Sequence, residues 1–533
     1  QTRRAGKLSN ERIRMLDNLR FDWEPRKDQL RKASVETAMR ITKTDYMEYT
    51  LCPKNLWLKK HKPDLFENIP ITDFQIEIIR NGEIVDEASM ALFPAGELVS
   101  SKNLDPLGYS KELIAKKSIA IFQASFEWDD FFVRTDILCF DEDTESWSLY
   151  EVKSTNSVKK TPYNHIKDLA FQKLVLKSNN VHIGHVGVIH LNKEYQRNGL
   201  LDYDQLFEET DVTNDVQDIE DIVRTEMNDM KKYLGAPEKS GCDCLYKGRS
   251  AQCQTFSYSN PYVPEYSVHN ISRIGTRKKI LTDWINRGIY AIENIDNPEV
   301  LNGYPSFQYL AHIKGKAVVD SNEILRTLND LEFPIHFLDY ETYTTAIPKF
   351  DRCWPWQQMP FQYSVHVLNN DGSLEHKEYI LKEPSKDMTL ALVENLAEDM
   401  NGHGTVVVWY APFETTRNNE LATLHPEYSG FLSNMNDHIF DLMKMFSDGH
   451  YVDPAFKGSN SIKDVLPVLI PDLAYTDLEI QSGTEAPIIW NQFIDQQLEP
   501  SEQKVIENNL LEYCKRDTLA MVKIYQFLKA LSK

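Results

Sequence analysis

The sequence lacks long apolar stretches and is sparing with cysteine. Its hydrophobic runs stay below the roughly 18 residues that a membrane-spanning helix needs, so neither a transmembrane protein nor a membrane partner is expected. Seven cysteines among 533 residues are too few for a disulfide scaffold, and they favour a reduced setting with thiols free to bind metal. No signal peptide, internal repeat or low-complexity tract is visible. The composition predicts a globular protein, and the sparing use of cysteine predicts a reduced, cytoplasmic setting.

A surplus of basic charge is also lacking, because the formal net charge is −21. This total does not exclude nucleic acid as a partner, since a metal-dependent enzyme needs acidic ligands and can still keep a locally basic path. Residues 1–35 show such a local contrast, with ten Lys or Arg against five Asp or Glu. The net charge therefore neither supports nor excludes a nucleic-acid substrate.

The chain is longer than one ordinary core requires, and its pattern divides into four parts. These are a basic helical segment (1–41), a first α/β unit (42–260), a helical connector (261–332) and a second α/β unit (333–533). The first unit follows an α-β-β-α-β order, and the second alternates strands with later helices. The predicted fold class is therefore α/β with two main units, called here the first unit and the second unit.

Two carboxylates and a lysine are expected to converge in the first unit. Strands are predicted at FFVRTDILCF and WSLYEVKST around an acidic turn, and the helix HIKDLAFQKLVLK follows. Glu151 and Lys153 are two residues apart on one strand and share a face, while Asp136 lies on the preceding strand. Carboxylates hold a hard cation that activates water, and an ammonium neutralises charge developing on a phosphate. The set predicts phosphodiester cleavage, with an ordinary charged hairpin as the alternative.

Asp136, the EVK at 151–153 and Gln172 resemble the motifs of PD-(D/E)xK nucleases of the RecB-type branch. The resemblance implies a restriction-endonuclease-like domain, Mg²⁺ or Mn²⁺ as cofactor, and Gln172 completing the site.

The same branch uses a further residue on an early helix, four positions after a glycine. Here Gly82 leads to Asp86, which the resemblance implies as a metal ligand. Many relatives have His at this position, so Asp86 departs from the pattern, and Glu83 and Glu87 compete for the role.

Four cysteines bracket the first unit: Cys52, Cys242, Cys244 and Cys253. Clustered thiolates bind an iron–sulfur centre or zinc, and plain buried thiols are the further alternative. The pattern resembles the iron–sulfur nucleases of the RecB-type branch, including those of CRISPR adaptation, and this implies a 4Fe–4S cluster. The late spacing C-x-C-x8-C is narrower at first than in most relatives, so zinc stays open. Cys139, Cys353 and Cys514 are predicted to be buried core residues.

A second acidic set is expected in the second unit. Asp339 and Glu341 share one face of an apolar strand, where buried charges need compensation. Tyr513 and Asp517 are four residues apart on a predicted helix and share a face. Glu414 follows the strand TVVVWYA at its junction with a helix.

These residues resemble the DEDD exonucleases of the RNase H-like fold, in the subclass with a Tyr-x3-Asp motif. The resemblance implies that Asp339, Glu341, Glu414 and Asp517 hold two metal ions, Mg²⁺ or Mn²⁺, and that Tyr513 orients the attacking water. The second motif usually carries Asp, so Glu414 departs from it. Asp441 and Asp453 are spare carboxylates, and a degenerate fold kept for binding is the alternative.

Segments GSNSIKDVLPVLIPDLAY and YCKRDT resemble a bacterial family of unknown function that joins these two domain types, over roughly residues 42–533. The N-terminal stretch, with Gly6, Leu8, Phe21 and Trp23, resembles part of a helicase-associated repeat, against the alternative of a solvated basic helix. Trp354 and Trp356 are candidates for stacking on a frayed base or for packing.

The prediction is a dual metal-dependent DNA nuclease, an exonuclease acting in DNA repair or anti-phage defence. RNA and a helicase are further candidate partners. The alternatives are an RNA-processing exonuclease, or a nucleic-acid-binding scaffold with one inactive nuclease domain working beside a helicase.

Overall fold

The part of the chain described by a computed structural model comprises residues 40–67, 69–100, 103–383, 387–400, 403–473, 475, 478–495 and 498–531. The basic helical segment and its likeness to a helicase-associated repeat therefore lie outside the described residues, apart from its last two positions. The described part is mixed α/β structure built on four sheets, which confirms the predicted class at this level. Within it, no helix combines the length and apolar character that crossing a membrane requires.

The first unit begins with a small sheet and continues into a larger one. In chain order its elements are β1 (Ile41–Thr42), α1 (Lys43–Leu51), α2 (Pro53–His61), α3 (Asp73–Ser89), β2 (Glu97–Leu98), α4 (Pro106–Ala115), β3 (Ala120–Phe122), β4 (Ser125–Trp128), β5 (Phe131–Arg134), β6 (Ile137–Asp141), β7 (Ser146–Lys153), α5 (His165–Ser178), β8 (Ile183–Leu191), α6 (Tyr203–Leu206), β9 (Phe207–Asp211), α7 (Thr213–Leu234) and α8 (Phe256–Ser259). The larger sheet has the order β2-β3-β6-β7-β8-β9, with β7 antiparallel to β6 and parallel to β8.

The predicted strand FFVRTDILCF is interrupted, which corrects the sequence-based expectation. Its first half, β5, belongs to the small sheet β1-β5-β4, and its second half, β6, belongs to the larger sheet. Asp136 lies between the two halves, where its Oδ2 accepts a hydrogen bond from Val152 N at 2.8 Å. The carboxylate thus bonds to the backbone of β7 at the point where the chain changes sheets. Asp136 therefore precedes a strand instead of lying on one.

Helix α5 is buried on nearly all sides, unlike an ordinary amphipathic helix. It begins after Asn164, whose side chain accepts hydrogen bonds from Ile166 N at 3.0 Å and Lys167 N at 3.2 Å. The helix contacts β7 and β8 of one sheet, β4 and β5 of the other, and helices α1 and α7. Polar residues on α5 are consequently held in the interior, against β7.

The connector contains α9 (Lys278–Asn286), α10 (Tyr304–Lys314), β10 (Val318–Val319) and α11 (Ser321–Asn329). Trp284 and surrounding aliphatic side chains give it a small core of its own. The expectation of a purely helical connector is corrected by β10, which pairs antiparallel with Tyr451–Val452 from the second unit. This pairing fastens the end of the connector to the unit that follows.

The second unit is built on a five-stranded sheet. Its elements are β11 (Ile335–Tyr343), β12 (Met359–Leu368), β13 (Leu374–Ile380), α12 (Leu390–Met400), β14 (Thr405–Val408), α13 (Ala411–Leu424), α14 (Ser429–Asp437), β15 (Ile439–Asp441), α15 (Lys444–Ser447), β16 (Tyr451–Val452), α16 (Ile462–Leu469), α17 (Glu485–Asp495) and α18 (Pro500–Ala530). The strand order is β13-β12-β11-β14-β15, in which β11, β14 and β15 run parallel and β12 is antiparallel to both its neighbours. The predicted strand with Asp339 and Glu341 is confirmed as β11, and the strand predicted before Glu414 is confirmed as β14. Helix α18 packs across β11 and β12.

The connection between β11 and β12, residues 344–358, reaches into the first unit and is called here the β11–β12 loop. Ala346 and Ile347 belong to the same hydrophobic cluster as Val85 and Ile189 of the first unit. Ala346 N also donates a hydrogen bond to Asn81 Oδ1 at 2.6 Å. The two units therefore share a continuous apolar contact through this loop.

Candidate metal centres

The three motif residues of the first unit lie together. Lys153 Nζ is 2.5 Å from Glu151 Oε1, and Glu151 is 1% exposed. Asp136 is 9% exposed and is bonded to the backbone of Val152, the residue between the other two. These residues, with the groups around them described next, are called the first site.

Gln172 connects this cluster to helix α5. Its Nε2 donates to Glu151 Oε2 at 2.6 Å and to Asp168 Oδ1 at 3.0 Å. Its Oε1 is buried and has no hydrogen-bond partner among the described residues. A buried acceptor without a donor fits a site that receives a cation or its water. Asp168 was not predicted, although its position four residues before Gln172 on the helix was a usable signal.

Lys43, the first residue of α1, is a second lysine of the site that the sequence reasoning missed. Its Nζ is 2.8 and 3.0 Å from the two oxygens of Glu151 and 3.6 Å from Asp136 Oδ1. Because its partners are roughly a hundred residues away along the chain, no local pattern identified it.

Asp86 faces the same charges from α3. Burial, and next the charge of Glu151, raise the pKa of Asp86 to about 6, while Lys43 and Lys153 oppose the rise. Its competitors Glu83 and Glu87 are exposed. Of the three, Asp86 is thus the half-buried carboxylate whose pKa is affected by the charges of the first site.

The pKa values of the first site reflect four buried or half-buried carboxyl groups beside two ammonium groups. Burial, followed by the charge of Glu151, raises the pKa of Asp136 well above its ordinary value. Burial acts in the same direction on Glu151, but Lys153 and Lys43 outweigh it and lower the pKa of this carboxyl. Asp86, Asp136, Glu151 and Asp168 together outnumber the two ammonium groups. A divalent cation would compensate the remaining negative charge.

The four bracketing cysteines form one group, called here the Cys cluster. The sulfur atoms of Cys52, Cys242, Cys244 and Cys253 all lie within 4.8 Å of one another. The predicted association of the two ends of the first unit is therefore confirmed. Four thiols at this separation can hold a metal ion, and the donor set suits zinc or an iron–sulfur centre.

Local structure explains how the Cys cluster is assembled. Cys52 is the residue before α2, which Pro53 begins, and its Sγ accepts from Asn55 N at 3.4 Å. Asn260 Nδ2 donates to Cys242 Sγ at 3.3 Å. Hydrogen bonds from Cys244 and then Cys253 lower the pKa of the Cys242 thiol, whereas hydrogen bonds from Cys242 and then Cys244 raise the pKa of Cys52 and of Cys253. The four thiols therefore share their protons as one group, and a metal would need them as thiolates.

The acidic pair of the second unit lies on the central strand of its sheet. Asp339 pairs with Ser364 and Glu341 with Gln362 of β12, and a bulge follows Glu341. The carboxylate oxygens and the sulfur of Cys514 lie within 4.8 Å of one another. Cys514 was predicted only as a core residue; it is fully buried, and its Sγ is 3.6 Å from Asp339 Oδ2.

Helix α18 brings Tyr513 and Asp517 to the same place. Lys463 Nζ donates to the hydroxyl of Tyr513 at 2.8 Å, and the hydroxyl of Tyr475 donates to Asp517 Oδ1. Lys463 and Tyr475 both lie in the segment GSNSIKDVLPVLIPDLAY, but no role was predicted for either. These residues, with Asp339, Glu341 and Glu414, are called the second site.

Glu414 lies in the first turn of α13 and is 3% exposed. Its Oε2 is buried without a hydrogen-bond partner among the described residues. Burial raises the pKa of Glu414 to about 8, and the charge of Asp441 acts in the same direction. Asp453 is engaged elsewhere, because its Oδ1 accepts from Ala455 N at 2.8 Å in a short turn.

Burial raises the pKa values of the carboxyl groups in the second site, and the charge of Asp517 adds to this effect on Asp339 and Glu341, whose pKa values lie well above their ordinary values. Burial likewise raises the pKa of Asp517 to about 6, against a hydrogen bond from Tyr475. Burying these acids together is unfavourable in their charged form unless cations bind among them. Among the described residues, Asp339 and Glu341 form a candidate metal-binding group with Cys514, and their oxygens suit a hard divalent ion. The buried Oε2 of Glu414, which has no hydrogen-bond partner there, is a further acceptor.

Trp356 of the β11–β12 loop contacts the first site. Its Nε1 donates to the backbone oxygen of Ser154, the residue after Lys153. The ring also packs against the cluster shared by the two units. These contacts favour the packing interpretation of Trp356 over base stacking.

The model of a domain of unknown function, DUF2779, matches residues 336–461, a stretch that includes Asp339, Glu341 and Glu414. The uncharacterized protein MG366 of Mycoplasma genitalium is 28% identical over 239 residues, or 41% of this chain and 35% of that protein. Its homolog in Mycoplasma pneumoniae is 26% identical over 233 residues, or 40% of this chain and 35% of that protein. The matched stretch thus spans about a third of the length of these curated relatives.

Proposed function

We propose that the protein is a metal-dependent nuclease with two active sites, one in each α/β unit, and that DNA is its substrate. The observation that carries the proposal is the convergence of Asp136, Glu151, Lys153 and Gln172 in one buried cluster. Four residues predicted from a nuclease resemblance meet through direct hydrogen bonds and ion pairs. An ordinary charged hairpin would leave such side chains in solvent.

The first site supports a PD-(D/E)xK assignment. Asp136 and Glu151, with Asp86, would hold Mg²⁺ or Mn²⁺, which when bound lowers the pKa of a water and stabilises negative charge on the phosphate. Lys153 donates from beside Glu151, where its ammonium can neutralise charge that develops on a phosphate oxygen. Gln172 fixes the orientation of Glu151 through its Nε2.

The second site supports a DEDD exonuclease assignment on an RNase H-like fold. The D-x-E pair lies on the central strand, Glu414 follows β14, and the Tyr-x3-Asp motif lies on the late helix α18. Asp339, Glu341, Glu414 and Asp517 would hold two divalent ions that stabilise the attacking and leaving oxygens. Tyr513, whose hydroxyl accepts a hydrogen bond from Lys463, would orient the attacking water. The catalytic activity of the second site depends on Glu414, since a buried neutral acid must ionise to bind metal.

The Cys cluster supports a structural centre that ties residue 52 to residues 242–253. We propose a 4Fe–4S cluster, because the cysteine pattern resembles that of the iron–sulfur nucleases. Zinc is the alternative, because it also accepts four thiolates. This structural role, which is to hold the ends of the first unit together, does not require the Cys cluster to lie near either site.

Disabling each site separately tests the proposal. In an Asp339→Asn background, Lys153→Ala is expected to reduce cleavage of labelled DNA by about 10²-fold or more, the scale for losing one electrostatic stabiliser. Lys173→Ala is the matched control, because Lys173 lies on α5 but pairs with Glu220 at 2.8 Å. Cleavage unchanged by Lys153→Ala contradicts the first-site assignment. Parallel assays on single- and double-stranded DNA and RNA, with Mg²⁺ and with Mn²⁺, distinguish DNA from RNA as substrate.

A further inference from the structure

The ammonium of Lys43 lies among the oxygens that the proposed function assigns to a divalent cation. It contacts both oxygens of Glu151, at 2.8 and 3.0 Å, and is 3.6 Å from Asp136 Oδ1. Lys153, in contrast, divides its contacts between Glu151 and Asp168. A hard cation likewise binds both oxygens of one carboxylate and lies close to a second carboxylate.

We propose that Lys43 has two roles in the first site. In the metal-free protein its ammonium stands in for the divalent cation between Asp136 and Glu151. When metal binds, the ammonium is displaced and turns to the phosphate of the substrate. This inference rests on the proposed function, because it takes the first site to bind a divalent cation.

Charge accounts for the first role. Asp136 and Glu151 are buried beside Asp168, and buried like charges repel strongly unless a cation lies among them. The side chain of Lys43 is only 23% exposed, so it balances these carboxylates from inside the protein. A divalent ion and an ammonium are both cations attracted to the same carboxylates, and their mutual repulsion makes the two compete.

Local structure accounts for the second role. The backbone at Lys43 is fixed, because Thr42 and Asp45 form a reciprocal capping box at the start of α1. The preceding strand, Ile41–Thr42, pairs with Phe131–Phe132. We therefore assign the displacement of the ammonium to rotation of the Lys43 side chain, with the backbone held in place. A phosphodiester bound at the first site would supply an anion to which the ammonium could turn, and an ammonium–phosphate contact is a strong charge-assisted bond.

The test separates metal affinity from cleavage. With the second site disabled by Asp339→Asn, Mn²⁺ binding is measured by calorimetry and cleavage by the release of label from single-stranded DNA at saturating Mn²⁺. Lys43→Met is expected to raise Mn²⁺ affinity about tenfold, since a competing charge is removed. It is expected to slow cleavage about 10²-fold. A purely structural lysine would weaken both properties on removal, and the control Lys173→Met is expected to change neither.

Each contrary outcome is distinct. Unchanged or weaker Mn²⁺ affinity in a folded Lys43→Met protein overturns the inference. If Lys43→Met unfolds without metal, Mn²⁺ is expected to restore its thermal stability, and failure to do so also overturns it. Glu151→Gln separates this inference from the proposed function. If Glu151→Gln loses Mn²⁺ binding but Lys43→Met shows no gain in Mn²⁺ affinity, only the proposed role of Lys43 is rejected. Absence of Mn²⁺ binding in the Asp339→Asn parent removes the first-site assignment itself.

Discussion

Glu414 is a buried acid whose protonation is linked to folding. Its ordinary pKa is 4.5, and burial raises the folded value to about 8, so the folded protein holds a proton that the unfolded chain releases. The resulting stabilisation is present below about pH 4.5 and is lost as pH rises through about 8. In EDTA, the free energy of unfolding is expected to fall over this range.

Glu414→Gln mimics the neutral acid and is expected to flatten this dependence by up to about 1.4 kcal/mol per pH unit. Urea denaturation from pH 5 to about pH 8 measures the slope, with exposed Glu427→Gln as control. Equal slopes in Glu414→Gln and the parent would show that Glu414 is not protonated in the folded protein. Added Mn²⁺ is expected to flatten the slope of the parent, because metal binding releases protons.

Tyr513 and Asp339 are expected to differ in how much activity they support. Tyr513→Phe removes the hydroxyl that Lys463 holds at 2.8 Å, and it should slow trimming of linear single-stranded DNA by about 10²-fold or less. Asp339→Asn removes a metal ligand and should cause a larger loss. Both changes are measured in a Lys153→Ala background, with circular single-stranded DNA as the substrate that lacks an end. Equal effects of the two changes, or equal cutting of linear and circular DNA, would contradict an end-dependent second site.

Local motifs predicted the residues whose spacing encodes a shared face. Glu151 with Lys153 and Tyr513 with Asp517 follow directly from strand and helix periodicity. Lys43 and Lys463 could not be found in this way. Each reaches its partner across a long stretch of chain, and a single lysine in a helix carries no local mark of its destination.

At the scale of elements, the interruption between β5 and β6 at Asp136 could not be predicted from the pattern of apolar residues. Phe131 and Val133 are buried on one side of the break and Ile137 and Leu138 on the other, so the apolar pattern continues across it. What distinguishes the two halves is their strand partners, and these are set by tertiary contacts. Helix α5 was predictable in extent but not in environment, since two sheets and two helices surround it.

The β11–β12 loop is expected to affect the first site although it belongs to the second unit. Trp356 donates to the backbone of Ser154, so Trp356→Ala should loosen the end of β7 that carries Lys153. Cleavage by the first site is expected to fall about tenfold in an Asp339→Asn background, because misplacing a charged group weakens its contribution. Trp354→Ala, in the same loop, is the matched control. An equal effect of both substitutions would point to general loosening of the loop.

At the scale of the whole molecule, the Cys cluster joins distant parts of the first unit. Cys242→Ser is expected to lower metal content and the thermal midpoint of the first unit, because a bound centre stabilises only the folded chain. Cys353→Ser, a buried thiol outside the cluster, is the control. Brown anaerobic protein with iron and sulfide supports a 4Fe–4S cluster, whereas colourless protein with stoichiometric zinc replaces it with a zinc site. Protein free of both metals contradicts the proposed centre.

The shared cluster at the β11–β12 loop also bears on how this chain can be divided. A fragment ending before the second unit would lose Ala346 and Ile347 and leave Val85 and Ile189 facing water. Newly exposed apolar surface of this kind promotes self-association. Expression of residues 42–260 alone is therefore expected to give aggregated or poorly soluble material, even if every catalytic residue of the first site is present. Fusing residues 344–358 to such a fragment is expected to supply the missing apolar surface. A soluble fragment of the first unit therefore needs this loop of the second unit.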